Sequence, residues 1–297
     1  MYDVIIVGAG PAGLSAALML GRSRRRVLVF DTGRPRNAAS RAMHGFLSRD
    51  GMSPSEFLRV AREQLKKYDT VECRDIEVIR AECSDARFHV TLADGVRLAA
   101  RKLLIATGVV DNLPDIPGFR ELYGRGVFHC PYCDGWEFRD QPLAVYGRGA
   151  RGFGLSLELT GWSRDIVLCT DGASEIEPDD LARLTRNGIA VREDRVARLE
   201  GDQSVERIVF ENGDALARRA VFFTTGQTQQ SELARLLGCE INDKGTVRTG
   251  KHATTHLTGL SVAGDASRAV QWVVVAAAEG AEAAFAINTD LLKEDLS

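Results

Sequence analysis

Apolar residues cluster in short runs separated by glycine-rich turns. Asp3–Val7 (DVIIV) is four apolar residues after an acid, a length and composition that predict a buried strand. GAGPAG follows, and then LSAALMLGRS, whose apolar spacing suits a helix. Val27–Asp31 (VLVFD) predicts the next strand. Strand, glycine turn, helix and strand together make a βαβ unit of about 30 residues. The grammar returns later: PLAVYG at 142–147, then GRGARG, a helix-like FGLSLELTGW, and IVLCTD at 166–171. The first glycines of the two turns, Gly8 and Gly147, lie 139 residues apart. Each unit precedes an apolar strand that ends in Thr-Gly, LLIATG at 103–108 and VFFTTG at 221–226. This is a loose duplication of domain type, without a short-period repeat.

Two polar stretches read as linkers, VVDNLPDIPGF at 109–119 and DKGTVRTGKHATTH at 243–256. They bracket the second βαβ unit. After them come GLSVAGDAS and an apolar run that reads as a helix, VQWVVVAAAEGAEAAFAI. The fold class expected is α/β, with two Rossmann-like dinucleotide-binding domains, the second inserted into the first. The expected boundaries are 1–111, 112–250 and 251–297.

The glycine turns carry the first chemical signal. Gly8, Gly10 and Gly13, with Pro11 and Ala12 between them, stand at the G-x-G-x-x-G spacing. The first glycine permits a tight turn, the second lets backbone approach a pyrophosphate, and the third lets helix pack on strand. The helix N-terminus then offers N–H groups to phosphate. Asp31, at the end of the next strand, suits an adenosine ribose hydroxyl. Gly147, Gly149 and Gly152 repeat the spacing. There the following strand ends in Thr170-Asp171-Gly172; Asp171 would repel a 2′-phosphate and suit a free 2′-hydroxyl. Arg148 and Arg151 lie in that turn, as phosphate contacts or as solvated loop residues.

Composition narrows the classes. The chain has 297 residues, 44% hydrophobic and 27% charged, with a net charge of −3. That is an ordinary soluble composition, and it points to neither a nucleic-acid nor a membrane partner. Val4–Gly21 carries no charge, yet its glycine cluster and Asp3 argue against a membrane span or a signal core. Arg22, Arg24, Arg25 and Arg26 form one basic run, read as a solvated edge between helix and strand. Six cysteines are too few for a disulfide scaffold. Cys73, Cys83, Cys169 and Cys239 are scattered and read mostly as packing residues.

Cys130 and Cys133 alone form a motif, in HCPYCDGWEFRD at 129–140. A structural zinc needs four ligands, usually from two close pairs. His129, Cys130 and Cys133 have no second pair, and His252 and His256 fall in strand-like or loop-like sequence, so no metal is expected. A CxxC spacing lets two thiols close and reopen a small disulfide ring. Asp134 beside them would move protons, or simply cap an Asp-Gly turn.

The joint order of GAGPAG, an ATG strand end, CxxC-Asp-Gly, a second GxGxxG and a late AGDAS resembles the low-molecular-weight thioredoxin reductase family of FAD-dependent pyridine nucleotide-disulfide oxidoreductases. The resemblance covers nearly the whole chain. It implies that Gly8, Gly10, Gly13 and Asp31 hold the ADP half of FAD, and that Thr107 and Gly108 lie near the flavin. Gly264 and Asp265, in Ala263-Gly264-Asp265, correspond to the late flavin motif. Gln271 would reach the flavin's pyrimidine edge, with the following helix N-terminus beside it. Cys130 and Cys133 would be the disulfide reduced by flavin, Cys133 nearer to it, and Asp134 the proton donor and acceptor. NADPH or NADH would bind the inserted domain, which would rotate about its linkers.

Two segments depart from the family pattern. Its basic His-Arg-Arg type segment is replaced by Thr170-Asp171-Gly172-Ala173, which leaves NADPH against NADH open. Its Arg-Gln-Ala is replaced by Gln271-Trp272-Val273, and Trp272 reads otherwise as a core or dimer contact. The leading expectation is a cytoplasmic homodimer passing electrons from nucleotide through FAD and the cysteine pair to a thioredoxin-like protein or a small-molecule disulfide. A branch of the family runs the pair backwards, oxidising small-molecule dithiols with oxygen. A flavin-bound redox sensor without turnover is the third reading.

Overall fold

The computed structural model describes residues 1–297. The first four predicted strands and the glycine-turn helices form where the apolar pattern puts them. Tyr2–Val7 pairs in parallel with Val27–Phe30, and Val27–Phe30 with Val71–Arg74. Arg97–Ile105 pairs in parallel with the other edge of Tyr2–Val7. This nine-residue strand changes partner along its far side. Its first half takes the antiparallel hairpin Val78–Ser84 and Arg87–Leu92, and its second half takes Leu260–Val262 in parallel. The result is a seven-stranded sheet.

Strand alternation divides the core of this sheet. Val4, Ile6, Val27 and Val29 face a helix layer that includes Leu14, Ala17, Leu20, Ala283 and Ile287. Ile5, Val7, Leu28 and Phe30 face the other way, against Phe88, Leu92, Leu237 and Val247. Burial of both faces is why these strands read as unbroken apolar runs.

The second sheet has five strands, all parallel. Their order is Ala190–Arg192, Ile166–Cys169, Leu143–Tyr146, Ala220–Phe223 and Val127–Phe128. Val145, Leu168 and Phe222 pack on Leu155 and Leu159 of the helix Gly149–Leu159. Ala144, Val167 and Val221 face Phe119, Leu199 and Ile208.

Backbone contacts divide the chain into two compact units. One comprises 1–38, 54–111 and 227–297; the other comprises 39–53 and 112–226. The return to the first unit therefore lies at 226/227, earlier than the expected 250. The stretch expected to be a linker at 243–256 is built into the first unit, because Val247 and Ala253 are buried there. The other expected linker is also structured. Val109–Asp111 pairs antiparallel with Gln227–Gln229, and Phe119 is fully buried. Polar composition concealed a few apolar anchors. The assignment of 39–53 to the second unit had no sequence signal.

Other expectations need revision. Arg25 is buried and bonds Asn288 and Asp295, so only part of the arginine run is solvated. Cys169 and Cys239 are buried, whereas Cys73 and Cys83 are exposed. Trp272 precedes the last helix, Val273–Leu296, and at 37% exposure it is not a core residue. No helix is long and apolar enough to cross a membrane.

The last helix approaches the first through glycine. A Cβ at Gly280 would lie 1.9 Å from the Ala12 carbonyl oxygen. Gly→Ala inside a helix ordinarily gains up to about 1 kcal/mol. Here Gly280→Ala is expected to destabilise by about 1–3 kcal/mol, because backbone must move. Guanidinium unfolding checks this through a lower midpoint at unchanged m-value; an unchanged or raised midpoint contradicts it.

Candidate active site

The first glycine turn is shaped by backbone approach. Gly8 has φ +105°, and a Cβ there would sit 2.3 Å from the Ala106 oxygen. A Cβ on Gly13 would sit 1.8 Å from the Gly8 oxygen. Both glycines are required by the protein itself. Gly10 differs: a Cβ there would meet nothing within 4 Å. It N-caps the helix Pro11–Arg22, with Pro11 at the first position and Ala12 buried behind it. The open side of Gly10 is where a pyrophosphate would approach.

Asp31 lies beside this turn. Its carboxylate accepts the Ala9 amide at 3.3 Å and pairs with Arg62 from the helix Pro54–Leu65. Arg62 also bonds Asp75 at 2.9 Å. Thr107 and Gly108 follow the strand Arg97–Ile105. The Thr107 hydroxyl oxygen is buried without a hydrogen-bond partner, and a Cβ on Gly108 would meet nothing within 4 Å. A buried orphan hydroxyl beside open space suits a polar ligand edge.

Gly264 has φ +75°, which lets the chain turn closely over Ala12. Its amide donates to buried Glu279 at 3.0 Å. Asp265 and Gln271 meet through a residue the sequence reading missed. Arg36 donates two hydrogen bonds to Asp111, at 3.0 and 2.6 Å, one to Asp265 at 2.9 Å and one to Gln271 at 2.6 Å. Burial would lower its pKa, but Asp111 and Asp265 outweigh burial and raise it, so the guanidinium stays charged. The Gln271 amide donates to the Asp265 and Arg268 carbonyls, so its polar atoms are already engaged within the protein. Arg36 stands in an unremarkable polar loop, RPRNAA, where only proximity in space identifies it.

Gly8, Gly10, Gly13, Asp31, Thr107, Gly108, Gly264 and Asp265 all belong to the first unit. The open cradle at Gly10 and the orphan Thr107 hydroxyl fit a dinucleotide such as FAD.

The second turn copies the packing. A Cβ on Gly147 would lie 2.6 Å from Thr224, and one on Gly152 2.8 Å from the Gly147 carbonyl carbon. Its ligand-facing side is closed by its own chain. The Gly149 amide donates to the Ser174 carbonyl at 2.8 Å. Arg148 donates to the carbonyls of Thr170 and Asp171. The Asp171 carboxylate accepts from the Val196 amide at 2.8 Å and the Tyr146 hydroxyl at 3.0 Å. Arg148 and Arg195 lie 3.7 and 3.6 Å from it. The Asp171 carboxylate, expected to repel a 2′-phosphate and suit a free 2′-hydroxyl, is thus already held by the chain's own donors. A pyrophosphate reaches the Gly149 amide only once Ser174 releases it.

The cysteine pair belongs to the second unit and follows its edge strand Val127–Phe128. Cys130 and Cys133 form a disulfide with Cα atoms 5.3 Å apart. Cys130 N-caps the single helical turn Pro131–Asp134, and the Cys133 amide donates to its sulfur at 3.2 Å. An amide aimed at sulfur favours the thiolate. Burial pushes the Asp134 carboxyl up to about 7, with Glu137 adding to the rise and His44 opposing it. A carboxyl that titrates near neutrality can both give and take a proton there. No group of three or more His, Cys, Asp and Glu has metal-binding geometry.

The family model described as pyridine nucleotide-disulphide oxidoreductase matches residues 2–280. A "Thioredoxin reductase tcpT" of Claviceps purpurea is 32% identical over 309 residues, covering 99% of this chain and 95% of that protein. A "Probable thioredoxin reductase" of Arthroderma benhamiae is 39% identical over 191 residues; the match covers 62% of this chain and 47% of that protein. The crystal structure of a putative thioredoxin reductase TrxB from Bacillus anthracis superposes with a TM-score of 0.93 at 31% identity, covering 99% of this chain and all of that one.

Asp134 has a stability signature. Its ordinary pKa is 3.8 and its folded value is about 7. The stability it contributes is complete below the unfolded value and is lost as pH rises through the folded one. Asp134→Asn removes that loss, so the thermal midpoint of the variant relative to wild type should rise between pH 4 and pH 8. A difference independent of pH contradicts the assignment.

Proposed function

The chain belongs to the pyridine nucleotide-disulphide oxidoreductase family, in its low-molecular-weight thioredoxin-reductase-like branch, and on that premise we propose how its own residues divide the work. It is an FAD-dependent thiol-disulfide oxidoreductase that uses NAD(P)H. The observation that carries the site assignment is a closed Cys130–Cys133 disulfide beside a carboxyl titrating near 7.

Residues 1–38, 54–111 and 227–297 form the FAD-binding part, and 39–53 with 112–226 the nucleotide-binding part with the cysteine pair. Bound FAD supplies acceptance of a hydride and delivery of an electron pair to the disulfide. Gly8, Gly10 and Gly13 would hold the pyrophosphate of FAD at the helix N-terminus, and Asp31 the adenosine ribose. Thr107, with its unpartnered hydroxyl, and the open Gly108 would lie near the flavin. Arg36 fixes Asp265 and Gln271 and balances their site electrostatically.

Reduction breaks the S–S bond, with two electrons entering the pair and one proton taken up to leave a thiol and a thiolate. Asp134 supplies that proton. The Cys133 amide stabilises the Cys130 thiolate, which makes Cys130 the attacking sulfur. Cys130 attacks an external disulfide, of a thioredoxin-like protein or a small molecule: that S–S bond breaks, one partner sulfur leaves as a thiolate that takes a proton from solvent, and the other forms a mixed disulfide with Cys130. Cys133 loses its proton to Asp134 and displaces the reduced partner, restoring the Cys130–Cys133 bond. The Asp171 carboxylate is already engaged, so it discriminates weakly against a 2′-phosphate; NADPH and NADH are expected to compete on similar terms.

A second reading rests on the closed second turn. If the Gly149–Ser174 hydrogen bond persists, nucleotide is a poor donor, and the pair runs from a small-molecule dithiol to oxygen.

Anaerobic titration of the holoenzyme with NADPH and NADH separates these. Bleaching of the flavin by either nucleotide is expected. No bleaching by both, together with bleaching by a small dithiol and peroxide formation in air, overturns the reductase direction. Cys130→Ser and Cys133→Ser should each reduce disulfide turnover to background. Full activity in either variant would make the pair structural.

A further inference from the structure

The chain passes between its two compact units four times, at 38/39, 53/54, 111/112 and 226/227. One side chain of the first unit gathers three of these crossings. Arg36 stands two residues before the first of them. Its Nε and Nη2 donate to the two carboxylate oxygens of Asp111, at 3.0 and 2.6 Å, and Asp111 is the last residue before the third. Nη2 also donates to the Gln227 side-chain oxygen at 3.3 Å, and Gln227 is the first residue after the fourth. Asp111 and Gln227 are themselves partners in the antiparallel ribbon of Val109–Asp111 and Gln227–Gln229.

The other end of the same guanidinium faces the late glycine motif. Nη1 donates to Asp265 at 2.9 Å and to Gln271 at 2.6 Å. All five N–H bonds of the group are therefore engaged. The group is planar and rigid, so one acceptor cannot shift without turning the plane against the others. The Arg36 side chain is 13% exposed and that of Asp111 6%, so water does not readily replace a lost partner. Asp265, at 20%, is the more open carboxylate and the end that a ligand reaches.

The second unit takes hold just past the same crossings. A Cβ on Gly124 would lie 2.5 Å from the Ala39 carbonyl oxygen, and the Asn112 amide donates to the Gly226 carbonyl at 3.0 Å. Only Asn37 and Ala38 separate Arg36 from Ala39, and Asn112 directly follows Asp111. Little slack is left at these crossings.

We propose that Arg36 is a positioning residue that transmits occupation of the FAD site, through Asp265, to the Asp111–Gln227 end of the ribbon, so that the chain crossings stiffen when cofactor is bound. This rests on the reading of the first unit as the FAD site. No covalent bond changes; the coupling is a contiguous hydrogen-bond network with one end at the ligand and one at the crossings. Linkage makes it reciprocal, so loosening the Asp111 end weakens FAD binding as well.

Hydrogen–deuterium exchange of the full chain, deflavinated and FAD-saturated, tests this on peptides covering 109–112 and 226–229. The strand Leu143–Tyr146 is the reference. In wild type, FAD should slow exchange at the crossings about tenfold and at the reference strand by less than about twofold. Arg36→Lys keeps the charge that the carboxylates need but not the fork. At saturating FAD it should cut the slowing at the crossings to less than about twofold. A merely structural role would speed exchange with and without FAD alike, leaving the ratio as in wild type, and that result overturns the proposal. Equal slowing at the reference strand, or none at the crossings of wild type, overturns it too. If Arg36→Lys does not fold, Asp111→Asn decides, since it cuts only the crossing end and should abolish the same slowing. Wild-type chain that fails to rebind FAD, read by quenching of flavin fluorescence, refutes the FAD reading itself, a distinct outcome.

Discussion

The Gly8 and Ala12 carbonyls leave no room for a Cβ at Gly13 or Gly280. The helix Pro11–Arg22 is thereby pressed against the first strand on one side and the C-terminal helix on the other. This close approach orders much of the first unit. It aims the helix N-terminus at the turn, closes one face of the seven-stranded sheet, and ties the beginning of the chain to its end. Gly264, turning over Ala12, brings Asp265 to the same place. The open Gly10 stands out against this density, because the protein has no packing reason to keep it bare.

Charge inside the first unit follows from that geometry. Asp111, Asp265 and Gln271 converge where the glycine turns bring their elements together, and two largely shielded carboxylates there need a cation. Arg36 supplies it with a planar group that serves several acceptors at once. In the second unit the balance is reversed. Asp134 has no cation strong enough to offset its burial, so it keeps its proton to about neutrality. The same physics that pins Arg36 as a fixed charge leaves Asp134 free to change state, which suits one to holding a ligand and the other to moving a proton.

The two glycine turns show how far sequence likeness reaches. Both use glycine where helix and strand touch, and both sets of contacts are tight. They differ at the second glycine. Gly10 faces open space, whereas the Gly149 amide is bonded to Ser174, and Arg148 turns toward the carbonyls of Thr170 and Asp171. The difference comes from the segment after the following strand. Asp31 reaches back to the first turn, while Asp171 is held by Val196 and Tyr146. The motif spacing specifies the turn; the neighbouring loop specifies whether its amides are available.

Much of this was legible in the chain itself. The buried strands announce themselves as apolar runs, since both faces of a parallel sheet are covered. The glycines mark backbone approach, since no other residue permits it. The CxxC spacing marks a disulfide, since a single helical turn brings two such sulfurs together. These are local constraints, and local sequence encodes them. The return point at 226/227, the packing of 39–53 with the cysteine pair, Arg36 among its carboxylates and His44 between Asp50 and Glu137 were not legible. Each joins residues tens to hundreds of positions apart through charge or a few apolar anchors, and no periodicity records such a meeting. The sequence by itself determined the strands, the turns and the pair of sulfurs; the tertiary structure alone decided which charges surround them, because electrostatic environment is a property of distance in space.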